Sequence, residues 1–396
     1  MPKPSAIVVA LLSACAVALH VTPHSGTTLL ASPAIAAESL TQSSTLASAY
    51  DAILSSRDRE AEALLARACP PAPLAACADL REVMLWWNIQ QDFMNRSLDE
   101  RFSAAANAAI AAATAATQKE PTRAEHWFYL AAAYAPLSQW RVLRGERLTA
   151  ARDGKRIKDA LERALALDAN LQDAWFGIGL YHYYADVAPA ALKFLRFLLL
   201  LPGGDRTQGM QEMLRARDHG ELLRGEADYQ MHWLFLWYEN QPRRALELLQ
   251  GLDRRYPGNP LFLQRIADVQ HVYLHDHAAS ARTWQTLLDR VTASQVAFTS
   301  VADVRARIGV AAESIELGQP QRAVELLTPV LRTRPAAPYG GVALAELTLG
   351  DAYARAGDRS AAIDAYTRAA SAAPRDDPDD IRTRSRDGLA RVRARR

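Results

Sequence analysis

Cysteine is scarce, with three residues in 396, and one of them, Cys15, lies in an apolar leader. A cysteine-based metal cage therefore has too few ligands to draw on. An excess of one charge is also missing. Lysine and arginine number 46 against 44 acidic residues, a net charge of +2, so no global field draws the chain to nucleic acid. Alternating apolar and polar runs bounded by turn residues are absent, so strands find no signal. Valine and isoleucine are scattered while alanine and leucine abound, which favours helices. Catalytic signatures are lacking too: there is no Gly-x-Ser-x-Gly elbow, no cysteine–histidine pairing with a local signature and no glycine-rich loop behind a strand. No enzyme, resident metal or cofactor is expected. What remains is 49% hydrophobic and 23% charged, ordinary for a folded protein, at a length that needs several domains or a repeat array.

Residues 1–36 read as a signal peptide, with Lys3, an apolar core from Ala6 to Val21, and Ala34-Ile35-Ala36 for cleavage. Leu12-Ser13-Ala14-Cys15 also has the form of a lipobox, the alternative being a lipid on Cys15. Either way the chain is expected in the periplasm or outside the cell. Cys69 and Cys77 then remain, flanking PPAPLAA. An oxidising compartment lets them pair as a disulfide; two small buried hydrophobes are the other reading.

The clearest repeat lies near the C-terminus, in ALAELTLGDAYARAGDRSAAIDAYTRAASAAP. Leu349, Gly350, Tyr353, Gly357, Ala362, Tyr366, Ala369 and Pro374 fall at the offsets of a tetratricopeptide repeat. Small residues let two helices approach, Tyr353 and Tyr366 fill the groove between them, Gly357 turns the chain, and Pro374 ends the second helix. Ala323, Leu327 and Pro335 repeat the second half, as do Ala245, Leu249 and Pro257. Leu263 to Leu288 reads as a further pair. Trp127, Leu130 and Tyr134 mark a first helix whose partner, Ile157 to Ala169, comes late, and Trp175 with Gly179 opens the next unit. Tyr50–Ala68, Leu74–Met94 and Leu98–Thr117 read as three looser helices. The fold expected is all-α, a right-handed tetratricopeptide solenoid of about six to eight helical pairs at a spacing of about 34 residues. Its parts run 37–122 (divergent helices), 123–260 (central repeats with insertions at 138–156 and 186–204), 261–377 (C-terminal repeats) and 378–396 (a basic capping helix).

The stretch from Asp173 breaks pattern with an apolar insert. Gly177-x-Gly179, Pro189, Leu192, Leu195, Leu198, then Gly204-Asp205-Arg206-x-x-Gly209 and Leu214 resemble a segment of the eukaryotic inclusion-body-clearance proteins, over about Asp173 to Pro260. Met210 stands where that family has leucine. The resemblance implies a repeat scaffold linked to lipid droplets and mitochondria, with no catalytic residues to transfer; an exported chain departs from that setting. The insert itself, with Leu192, Phe194, Leu195, Phe197, Leu198 and Leu199, is shorter than the about 20 apolar residues needed to span a bilayer. Its periodicity fits an amphipathic helix buried against the repeats; an interfacial helix or acyl-chain groove is the second reading.

Three smaller features complete the inventory. Gly203-Gly204-Asp205-Arg206 reads as a helix start with Asp205 as N-cap rather than a phosphate loop. His271 and His275, four apart, and His277 read as the cationic end of a helix, adventitious metal binding being the alternative. Seven arginines between Arg382 and Arg396 surround a stripe of Ile381, Leu389 and Val392, which reads as a cap with a solvated basic face. The expected activity is binding of a protein or peptide partner along a concave surface, with contact to lipid or a membrane surface as the alternative.

Overall fold

The computed structural model describes residues 39–187 and 203–394. The expected signal peptide with Cys15 and the insert residues Leu192, Phe194, Leu195, Phe197, Leu198 and Leu199 lie outside the described residues. Among the described residues all regular structure is helical: α1 (Ser43–Leu54), α2 (Asp58–Ala68), α3 (Leu74–Gln91), α4 (Asp99–Lys119), α5 (Ala124–Leu143), α6 (Arg147–Leu167), α7 (Ala174–Val187), α8 (Arg206–His219), α9 (Arg224–Trp237), α10 (Pro242–Arg255), α11 (Pro260–Asp268) with a π-helical turn (Val269–Tyr273), α12 (His277–Thr292), α13 (Thr299–Glu316), α14 (Pro320–Thr333), α15 (Gly341–Ala356), α16 (Arg359–Ala372) and α17 (Ile381–Ala394). No helix among the described residues is long and apolar enough to cross a membrane.

Local chemistry sets the boundaries. Pro242, Pro260 and Pro320 open α10, α11 and α14, where a missing N–H goes unmissed. Side chains cap others: Asp205 accepts from Thr207 and Gln208, Asn259 from Leu261, Asp276 from Ala279 and Asp358 from Ala361. Gly357 ends α15 at φ 86°, a left-handed value glycine tolerates. Pro257, Pro335 and Pro374 follow the ends of α10, α14 and α16. Residues 138–156 form the end of α5 and the start of α6, which meet at a turn through Gly145 (φ 86°). One boundary differs from expectation. Tyr50–Ala68 is not one helix, because Ser56 takes φ 58° and separates α1 from α2.

The chain divides into two compact units. The first holds the chain up to Ile53 with Asp58–Trp86 and Asp99–Asp228; the second holds Leu54–Arg57, Trp87–Leu98 and the chain from Tyr229 onward. In the first, α7 and α8 pack at two glycines. A Cβ on Gly179 would lie 2.6 Å from the Gly209 carbonyl oxygen, and one on Gly209 would lie 2.5 Å from the Gly179 oxygen. The two backbones touch there, and any larger side chain forces them apart. In the second, Ala323, Leu327 and Val330 of α14 pack with Val304, Ile308 and Ala311 of α13 and with Ala345, Leu349 and Ala352 of α15. Ala362, Tyr366 and Ala369 of α16 then meet Ala343 and Leu347 of α15 and Ile381 and Val392 of α17. Each fully buried leucine or isoleucine contributes about 1.5–3 kcal/mol, and the alanines set how close the helices lie. These are tetratricopeptide-type pairs.

The first unit also buries unpaired acid. Asp79 is 3% exposed and Glu82 0%, and Asp79 Oδ1 and both Glu82 carboxylate oxygens lack hydrogen-bond partners. Burial raises both pKa values well above the ordinary carboxylate range, and Asp79 raises Glu82 further. Nearby, the Tyr129 hydroxyl is buried without a partner, and burial raises its pKa too.

Candidate interaction site

In the second unit α9 (from Tyr229), α11, α13 and α15 are in chain order the first helices of successive helix–turn–helix stretches, and one short segment, Trp87–Leu98, touches α9, α11, α13 and the loop before α15. Its Trp87 ring, 1% exposed, lies 4.7 Å from Tyr229 of α9 and 5.8 Å from Phe262 of α11. Next, Gln91 Nε2 donates to Asn259 Oδ1 at 3.0 Å, while Asn259 Nδ2 donates to the Leu54 carbonyl at 2.9 Å. The Asp92 carboxylate then accepts from the Tyr339 backbone N–H at 3.0 Å and lies 3.6 Å from Arg305 Nη2 of α13. The segment thus presents an aromatic, an amide and a carboxylate to residues that come 142 or more positions later, counting from Trp87 to Tyr229.

A half-exposed aromatic shelf continues on the same helices. Trp233 and Trp237 stack at 4.3 Å, Trp237 Nε1 donates to the Tyr273 hydroxyl at 3.1 Å, and Arg265 lies over Trp233 at 5.3 Å. Arg265 Nη1 reaches Asp268 Oδ2 at 3.2 Å. Burial works against the Arg265 guanidinium, yet Tyr229 and Asp268 beside it raise its pKa above the usual arginine value. Burial raises Asp268 and lowers Arg305, the latter against the pull of Asp92. His232 is fully buried behind the shelf, and burial lowers its pKa to about 3, so it stays neutral. The shelf offers flat apolar faces framed by fixed charges of both signs, which suits an extended peptide carrying apolar side chains.

The repeat-signature residues divide by position. Ala245, Ala323, Ala362 and Ala369 are fully buried, as is Tyr366 at 1%. Gly350 is buried against Tyr366, and Tyr353 is half-buried. Trp127, Leu130, Tyr134 and Trp175 are only half-buried; the core is made by Phe128, Tyr129, Phe176 and Ile178 instead. The two tryptophans act alike. Trp127 Nε1 donates to the Pro121 carbonyl and Trp175 Nε1 to the Ala169 carbonyl, each six residues back, pinning the turn that precedes the helix. Cys69 and Cys77 are joined as a disulfide, with Cα atoms 6.4 Å apart. Asp205 caps α8 as expected. Ile381 and Val392 are buried, and α17 packs by that stripe.

The histidines are arranged differently from their spacing. The π-helical turn and the left-handed His275 (φ 53°) break the face shared by His271 and His275. His271 meets His277 instead, ring centroids 5.1 Å apart, and both reach Glu313 of α13, a residue that sequence spacing does not connect to them.

No family model matches the chain, and no curated protein matches it. The crystal structure of the P58(IPK) TPR domain is similar over 77% of this chain and 97% of that one, at 13% identity and a TM-score of 0.20. A superposition that loose carries no argument, so the repeat assignment rests on the pair geometry above. Among the described residues the regular structure is all-helical, and its C-terminal helical pairs are tetratricopeptide-like.

Proposed function

We propose that this protein is an exported interaction scaffold that binds an extended segment of a protein partner along the first helices of its second unit, whose pairs stack as a right-handed solenoid. The observation that carries the reading is the course of Trp87–Leu98, which already lies across α9, α11 and α13 by ring packing, amide pairing and a carboxylate contact. A surface that holds one chain segment by those means has the groups to hold another beside it. Trp233, Trp237 and Tyr273 supply the adjoining contact area, and Arg265 and Asp268 set its polarity. No catalytic step is assigned.

Photo-crosslinking in cells tests the site. A crosslinking residue at 237 or 273 is expected to give a discrete adduct with one protein, and the same residue at Leu317, which is exposed on the far end of α13, is expected to give none. Equal labelling from all three positions, or none from 237 and 273, defeats the reading. Export is tested separately by fractionating cells that carry the full chain and a form lacking residues 1–36.

A further inference from the structure

Three side chains with metal-ligating atoms converge beside the π-helical turn. His271 comes from the turn itself, His277 from the first position of α12, and Glu313 from α13. Their ligating atoms all lie within 4.8 Å of one another. We propose that His271, His277 and Glu313 form a binding site for a divalent metal ion of the zinc type, with a fourth position open to water or a partner's side chain.

The local backbone is built to make this meeting. Without the π-helical turn, His271 would follow the α-helical face of α11; the widened turn re-aims it. The chain then reverses through His275 in the left-handed region, uncommon outside glycine, and Asp276 caps α12 so that His277 opens the helix facing His271. Single π-helical turns within helices concentrate at functional sites.

The donor set fits the ion. Imidazole nitrogen and carboxylate oxygen suit zinc, cobalt or nickel better than calcium or magnesium, which prefer oxygen alone. Tetrahedral zinc with bonds of about 2.0–2.2 Å holds its ligands roughly 3.4 Å apart, within the span seen here. His277 Nδ1 lies 2.9 Å from Glu313 Oε2, a hydrogen-bonded contact. His271 Nδ1 lies 2.8 Å from Glu313 Oε1, so each oxygen of the one carboxylate faces one imidazole. Glu313 is 2% exposed, and the fully buried Ser280 donates to its Oε1 at 2.6 Å, the kind of outer contact that fixes a ligating carboxylate. Asp268 and Glu316 lie near enough to act on His271 electrostatically and add negative charge around a cation. The side chains of His271 and His277 are 41% and 34% exposed, so an ion can enter from solvent.

The competing account is an ion-paired cluster in which a protonated imidazole serves Glu313, with no metal. Calorimetric titration of the chelator-treated full chain with zinc chloride near neutral pH separates the two. One zinc ion per chain is expected, with micromolar or tighter affinity. His271→Ala and His277→Ala are each expected to weaken binding at least tenfold, and His275→Ala to leave it unchanged. Cobalt(II) should give visible absorption bands with the native chain that disappear in the doubly substituted H271A/H277A chain. Circular dichroism confirms that this variant is folded; both histidines are partly exposed, whereas Glu313→Gln alters a buried group and serves only as support. Absence of zinc binding below about 1 mM, or native-like binding by the folded double variant, overturns the site.

Discussion

Gly350 lies directly beneath the ring of Tyr366: a Cβ placed on it would come within 2.6 Å of Tyr366 Cδ1. Gly388 of α17 closes on the same ring, 2.5 Å from Cζ by the same measure. One tyrosine is thus packed between two helix backbones, and its hydroxyl donates to Asp351 at 2.7 Å. Gly350→Ala should lower stability by about 1–3 kcal/mol through overpacking. Tyr366→Ala should cost about 3–5 kcal/mol by leaving a cavity. The two together should cost less than their sum, since the smaller side chain relieves the clash. Urea denaturation of the four members of the cycle reads this out, and strict additivity would mean that the ring does not fill the gap.

Asp79 and Glu82 make stability depend on pH in an unusual direction. Both folded pKa values are raised, by burial first, so the folded unit retains protons that the unfolded chain releases. Their contribution is fully present below about pH 4, where unfolded carboxylates are also protonated, and is lost as pH rises through the folded values. Asp79→Asn with Glu82→Gln should therefore be more stable than the native chain at pH 8, with the difference shrinking towards pH 5. Denaturation midpoints across that range test it; an unchanged difference at all pH values refutes the assignment.

Cys69 and Cys77 close a loop with a sequence separation of 8. Constraining a loop of that size stabilises the fold by about 2–3 kcal/mol on the chain-entropy account. Cys69→Ser with Cys77→Ser should lower the melting temperature of the first unit, and dithiothreitol should lower that of the native chain but not of the variant. Two titratable thiols in the folded, unreduced protein would contradict the pairing.

Asp173 organises the entry to α7. Its carboxylate, 1% exposed, accepts from the backbone N–H groups of Glu221 at 2.7 Å, Leu222 at 3.0 Å and Leu223 at 2.8 Å. Removing it strands three backbone donors, that of Leu222 in a buried position. Asp173→Ala should cost at least about 3 kcal/mol, whereas Asp173→Asn should cost less, since one oxygen can still serve Leu222 and Leu223. Hydrogen exchange at those three amides is the direct measurement: fast exchange is expected in the alanine variant only.

What could be read from the residues, and what could not, follows from distance along the chain. Gly350, Ala362, Tyr366 and Ala369 were legible because their roles are fixed within one helical pair. Asp205 and Cys69–Cys77 were legible for the same reason. The register of Trp127 and Trp175 was not, because periodicity cannot separate a residue that fills the core from a neighbour that covers a turn. His271 and His275 looked paired at helical spacing, but a π-helical turn changes the period without leaving a mark in composition. Glu313 stands 36 residues beyond His277 on another helix, and nothing local points to it. The placement of Trp87–Leu98 against α9, α11 and α13 depends wholly on tertiary choice.

That last segment has a consequence for synthesis. Asp92 and Tyr339 are 247 residues apart in sequence. At about 5–20 residues per second, the ribosome delivers Tyr339 on the order of 10–50 s after Asp92. Trp87, an aromatic that ends 1% exposed, spends that interval without Tyr229 or Phe262 to cover it for much of the time. The nascent chain therefore carries a temporary apolar liability, and a holding chaperone that recognises short tryptophan-containing segments has a defined window in which to act.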